Sequence, residues 1–220
     1  MRAAAIIPVK RFGAAKQRLA AELEPEARVC LAGAMLDDVL DAAEASRGLD
    51  RVIVVTGEPA AARAARARDA EVIEDATDSG HSRAAQLGIA RALELGVEVA
   101  ALLPGDCPLL DPAELDAAFA RLPRRGVAVV PDRHGTGTNA LLLAPPEAIE
   151  PAFGEGSRDR HERLARSAGV EVRVEPLESL APDVDTAADL ATVAGLLRER
   201  PDRAPHTAGA LRDLVSGAAG

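Results

Sequence analysis

Aromatic side chains are almost missing from this chain: there are three Phe (Phe12, Phe119 and Phe153) and no Tyr or Trp. Single-stranded nucleic acids are usually held by stacking bases on aromatic platforms, so that device is absent. Any base bound here must be held by backbone groups and polar side chains. A basic excess is missing too. With 26 Lys and Arg against 35 Asp and Glu, the formal net charge is −9 and the pI about 5.0. That excludes a protein whose affinity rests on neutralising a nucleic-acid backbone, although a local basic loop is allowed. Cysteine is scarce. Cys30 and Cys107 form no C-x-x-C and have no His at ligand spacing, which excludes a disulfide framework or a zinc site. Both are expected as reduced, buried thiols, Cys30 on the apolar stripe of the first helix. No apolar run approaches the roughly 20 residues of a membrane span, and Ala3 to Val9 is too short for a signal peptide. A soluble cytoplasmic protein is expected, with a homo-oligomer left open.

What is present is a chain of 220 residues, 48% hydrophobic, which suffices for one ordinary core. Short apolar runs alternate with helical patterns. Ala3–Val9, Val52–Thr56, Glu71–Ile73, Val97–Leu103, Val127–Val130 and Leu141–Ala144 read as strands, apolar at successive positions as strands covered on both faces should be. Glu26–Ala45, Pro59–Asp69, Ser82–Leu95, Pro112–Leu122, Arg158–Ser167 and Thr186–Glu199 read as helices. This alternation predicts an α/β fold with an open, mostly parallel sheet between helices, its ligands bound where strands end and helices begin. Residues 1–200 read as one domain and 201–220 as a partly ordered C-terminal tail.

The first predicted strand runs into a loop carrying Lys10, Arg11, Lys16 and Arg18, a basic stretch where such a sheet would hold polyphosphate. The fourth ends in Pro104-Gly105-Asp106, which places a carboxylate where it suits a hard divalent cation or an Asx turn. Asp183 and Asp185 offer it a second carboxylate, and one magnesium between them would make a compact phosphoryl-transfer site. Asp185-Thr186 also reads as a helix cap. The stretch from Asp132 to Ala140, with Arg133, Thr138 and Asn139, suits either an anion held by inward N–H groups or a plain hairpin turn. Gly154-Glu155-Gly156-Ser157 opens a helix whose amides suit a carboxylate or phosphate, and Ser82 reads as the N-cap of another.

Several familiar motifs are absent. There is no G-x-x-x-x-G-K-[ST], and no G-x-G-x-x-G follows a strand. Gly80-His81-Ser82-Arg83-Ala84 lacks the closing Gly of a nucleophile elbow, and His161-Glu162 has no His at 165, so neither a serine hydrolase nor a zincin follows.

Taken in order, Pro8-Val9-Lys10-Arg11 with Lys16 and Arg18, Leu103-Pro104-Gly105-Asp106-x-Pro108, Asp132-Arg133-x-Gly135-Thr136-Gly137-Thr138-Asn139, Phe153-Gly154-x-Gly156-Ser157 and Asp183-Val184-Asp185-Thr186 resemble one family. It is the 2-phospho-L-lactate or phosphoenolpyruvate guanylyltransferases of coenzyme F-420 biosynthesis, matched over about residues 3 to 198. The resemblance implies a three-layer nucleotidyltransferase fold of the nucleotide-diphospho-sugar transferase type. The implied reaction is transfer of GMP from GTP to a phosphorylated three-carbon acid, releasing pyrophosphate. It further implies that Lys10, Arg11, Lys16 and Arg18 grip the GTP phosphates, that Asp106 and Asp185 with Asp183 hold Mg2+, and that Thr138, Asn139, Gly154 and Ser157 bind the acceptor. Ser82 is implied near the base, although many relatives carry a Gly-Leu-Asn stretch there. Phosphoenolpyruvate is preferred to 2-phospho-L-lactate because the Ala- and Arg-rich composition suggests a high-GC genome, where bacterial relatives favour that acceptor. Other readings are a molybdopterin or sugar-phosphate nucleotidyltransferase, or a GTP-binding module without catalysis.

Overall fold

The computed structural model describes residues 2–14 and 16–217. Its sheet has seven strands: β1 (Ala3–Val9), β2 (Arg51–Thr56), β3 (Glu71–Glu74), β4 (Val99–Leu102), β5 (Gly126–Pro131), β6 (Thr138–Ala144) and β7 (Glu171–Val174). They lie in the order β3-β2-β1-β4-β6-β5-β7. Every pairing is parallel except the two made by β6, which runs against β4 and β5.

The continuous apolar strands arise because both sheet faces are covered. On β1, Ala3, Ala5 and Ile7 enter one core while Ala4 and Ile6 enter the other, the period of two that a pleated strand imposes. On the first face lie α1 (Pro25–Ala45), α2 (Pro59–Arg66) and α4 (Pro112–Arg121), and on the second α3 (His81–Glu94) and α5 (Ser157–Ser167). Pro stands in the first turn of α1, α2 and α4, where its missing N–H costs nothing. Asp111 caps α4 by accepting the Ala113 N–H at 2.8 Å.

A third core lies beyond α1. Leu31 and Met35 on its outer side meet Val193 and Leu197 of α6 (Ala187–Glu199) and Ala208 of α7 (Pro205–Gly217). Helix α1 is therefore buried on two sides, and its exposed strip is narrow and carries Val29 and Cys30. This corrects the expectation for Cys30: it is exposed because packing selects Leu31, Ala32, Met35 and Leu36, while Cys107 is buried as expected.

Residues 201–217, expected as part of a tail, form a short 3-10 turn and α7, while residues 218–220 lie outside the described residues. Asp38 of α1 accepts the N–H groups of His206 at 3.0 Å and Thr207 at 2.8 Å, so α1 caps α7. Strand β7 was not expected. Its Glu-Val-Arg-Val run is largely exposed at the sheet edge beside β5 and carries too little apolar pattern to be read.

Candidate active site

The loops after β1 and β4, the start of β6 and the segment before α6 enclose a cleft of about 380 Å³. Lys10, Lys16, Asp106, Thr138, Gly154, Asp183 and Asp185 line it. This is the carboxyl end of the parallel strands, where an open α/β sheet binds ligands.

Its electrostatic centre is Lys16. The residue adopts a left-handed backbone with φ 54°. Its Nζ donates to Asp106 Oδ2 at 2.6 Å and to Asp185 Oδ1 at 3.1 Å, with only 4% of the side chain exposed. Burial alone would discharge the ammonium, but the two carboxylates outweigh it and raise its pKa. For Asp106 burial likewise opposes charge, and Lys16 overrides it and holds the carboxyl below its ordinary value. Asp183 is shifted upward, first by burial and then by Asp185 and Asp106, so the site carries an excess of negative charge.

That donor set fits a divalent cation. Asp106 and Asp185 already converge on one positive atom, so their oxygens reach a common point. Among the described residues no group of three or more His, Cys, Asp or Glu closes on a metal position. A magnesium here would take further ligands from substrate oxygens and water, its usual habit.

The other expected site residues separate. Thr138, Asn139 and Gly154 line the cleft. Asn139 commits its side-chain nitrogen to Leu180 O at 2.7 Å, tying β6 to the turn before α6. Ser157 is buried at the start of α5, and its hydroxyl has no hydrogen-bond partner among the described residues. Arg133 pairs with Asp189 and lies 3.8 Å from Asp183. Asp189 in turn accepts the N–H groups of Asp185 at 3.1 Å and Thr186 at 2.7 Å. Arg133 thus braces the segment that carries Asp183 and Asp185 through Asp189. Thr186, not Asp185, is the cap of α6.

Lys10 faces the cleft, whereas the exposed Arg11 and Arg18 are not among its lining residues. Arg11 donates its backbone N–H to Asp78 Oδ2 at 3.4 Å. Ser82 is not the N-cap of α3, which begins after Gly80 at φ 92°. Its hydroxyl instead accepts the Phe153 N–H at 3.0 Å, fastening α3 to the loop that bears Gly154. The glycine-rich stretch after β5 is a hairpin: Asp132 accepts from Gly135 N at 2.9 Å through its carbonyl and from Thr136 N at 3.0 Å through Oδ1. Those amides are spent on the turn, not turned toward an anion.

Three lining or supporting aromatics were not expected. His81 and Phe153 line the cleft with ring centroids 4.4 Å apart, and Phe153 also packs edge-on against His161 at 5.2 Å. Burial lowers the His81 pKa. The Cys107 thiol, next to Asp106, is pushed well upward by burial and by that carboxylate, so it stays protonated and is no nucleophile.

Among the described residues no helix is long and apolar enough to cross a membrane. Comparison with solved structures gives the same fold. A protein from Desulfovibrio desulfuricans G20 assigned as a nucleotide-diphospho-sugar transferase superposes with TM-score 0.78 at 17% identity, covering 98% of this chain and 96% of that one. CMP:2-keto-3-deoxy-manno-octonic acid synthetase complexed with CTP gives 0.60 at 15% identity, covering 90% and 99%. Among curated proteins, the chain is 47% identical to phosphoenolpyruvate guanylyltransferase from Conexibacter woesei over 96% of both chains. It is 44% identical to the protein of that name from Sphaerobacter thermophilus, over 87% of this chain and 92% of the other. The family described as Guanylyl transferase CofC like matches residues 3–196. The chain belongs to this guanylyltransferase family.

Proposed function

We propose that the protein transfers GMP from GTP to phosphoenolpyruvate, giving enolpyruvyl-diphospho-5'-guanosine and pyrophosphate, a step of coenzyme F-420 biosynthesis. The observation that carries this reading is that Thr138 and Gly154, the acceptor side, line the same cleft as Lys16, Asp106 and Asp185. A molybdopterin or sugar-phosphate transferase is disfavoured by that shared location. The acceptor named for the curated relatives from Conexibacter woesei and Sphaerobacter thermophilus supports phosphoenolpyruvate.

An oxygen of the acceptor's phosphate attacks the α-phosphorus of GTP. The new P–O bond forms as the bond from that phosphorus to the β-phosphate oxygen breaks, and pyrophosphate leaves with the electron pair. No proton needs removal, because the attacking oxygen is already anionic, so alignment and charge neutralisation suffice. Lys10 and Lys16 bind phosphate oxygens, and Thr138 with the Gly154 loop orients the acceptor. Asp106 and Asp185, with Asp183 beside them, would hold Mg2+. When bound, that ion offsets the charge of the triphosphate and of the departing pyrophosphate.

The test is pyrophosphate release from GTP and Mg2+ with phosphoenolpyruvate or 2-phospho-L-lactate supplied separately, ATP and CTP serving as controls. Release that needs GTP and phosphoenolpyruvate is expected. Release only with 2-phospho-L-lactate would move the acceptor, and GTP binding with no release from either acid would overturn the reading.

A further inference from the structure

His161 lies on α5, wholly buried, with a partner on each ring nitrogen. Nε2 accepts the Ala152 N–H at 2.9 Å. A backbone amide can only donate, so Nε2 carries no proton and the neutral ring holds its proton on Nδ1. Nδ1 is 3.0 Å from Thr138 Oγ1, so this N–H donates to the threonine hydroxyl. A doubly protonated ring would set two donors against each other at Ala152. Burial, and then Arg160, lower the pKa to about 4 and favour the same neutral form.

The environment keeps the ring in place. Phe153 packs edge-on against it, and the Phe153 N–H is held by Ser82. On the sheet side the β5–β6 register shifts between Val130 and Pro131, next to the pair Pro131 and Thr138, so Thr138 sits at an irregularity able to re-aim a side chain.

A hydroxyl has one hydrogen and two lone pairs. With one lone pair of Thr138 engaged by His161, the hydroxyl's own hydrogen is left for the cleft that this residue lines. We propose that His161 is a positioning residue that orients the Thr138 hydroxyl as a hydrogen-bond donor to an anionic oxygen of the acceptor acid. The inference rests on the acceptor side assigned to Thr138 above. It makes the pocket favour an acceptor offering a carboxylate or phosphate oxygen at that point over one offering an alcohol, whose uncharged oxygen accepts the hydroxyl hydrogen more weakly.

Three variants and one spectrum test it. His161→Gln keeps an amide oxygen near Nε2 but loses the donor near Nδ1, whereas His161→Asn places an amide nitrogen at Nδ1. His161→Gln is expected to raise KM for the acceptor about tenfold with KM for GTP unchanged, and His161→Asn to restore most of it. In a Thr138→Val background His161→Gln should have no further effect on the acceptor. Imidazole 15N shifts of the wild-type protein near pH 7 should report the Nδ1–H tautomer. An Nε2–H tautomer, equal rises in both KM values, or an undiminished His161→Gln effect in Thr138→Val would each overturn the proposal. Should His161→Gln fail to fold, the spectrum and His161→Asn decide. A wild type silent with both acids would overturn the acceptor reading, while the spectrum still judges the relation of His161 to Thr138 without turnover.

Discussion

Lys16 and Asp106 stand 90 positions apart in the chain and 2.6 Å apart in the cleft. The contact holds the Asp106 carboxyl below its ordinary value and leaves the same ammonium within reach of Asp185. Asp106→Asn preserves shape but removes the negative charge proposed to hold Mg2+. Turnover should fall about 100-fold or more, while Tm moves by only a few degrees. Lys16→Met should lower turnover comparably and also weaken GTP, since it removes the phosphate contact proposed for it as well. Pyrophosphate release and GTP titration measure both, and a wild-type rate in Asp106→Asn would sink the assignment.

Helix α3 approaches β1 closely through Gly88. A Cβ added there would overlap Ile6 Cγ2 and meet Val55 Cγ2 at 3.3 Å. Gly88→Ala should therefore destabilise by about 1–3 kcal/mol, the usual range for overpacking, despite the better helix propensity of Ala. Urea denaturation would read it as a lower midpoint.

The cap on α7 comes from Asp38, one carboxylate serving two backbone donors. Asp38→Ala should cost about 1–2 kcal/mol. Amide exchange should quicken in α7 before it does in the sheet, and uniform quickening would place the loss elsewhere.

His161 carries a pH signature. Its folded pKa of about 4 lies below the ordinary 6.5, so between those values the unfolded chain binds more protons than the fold. Stability therefore rises with pH across that window and is lost as pH falls toward 4, by about 2–3 kcal/mol. The difference in unfolding free energy between wild type and His161→Asn should narrow between pH 6.5 and 4.5. A constant difference would show that His161 titrates in the fold as it does in the unfolded chain, with no lowered pKa.

Much of this architecture is legible in the residues, for identifiable reasons. β1 and β4 read as strands because helices cover both their faces, so every side chain is apolar. Asp106 and Asp185 stand out because each follows or precedes a regular element with turn residues around it. What eludes the sequence depends on distant partners. The charge of Arg133 reads as an anion contact, yet Asp189, 56 positions on, claims it. Ser82 reads as a cap, but its partner is the backbone of Phe153. His161 fits no local motif, because its meaning lies in Ala152 and Thr138 at once. Cys30 follows the apolar stripe of α1, but the choice of buried side was made by α6 and α7.

Lys16 and Asp185, which share a hydrogen bond, are 169 positions apart. At about 5–20 residues per second of synthesis, roughly 8–34 s pass between the appearance of the first and of the second. For that interval a growing chain has its lysine without this carboxylate. Nothing this pair would bind can therefore guide the early stages of folding through it, and the sheet begins to organise on its apolar contacts and backbone pairings.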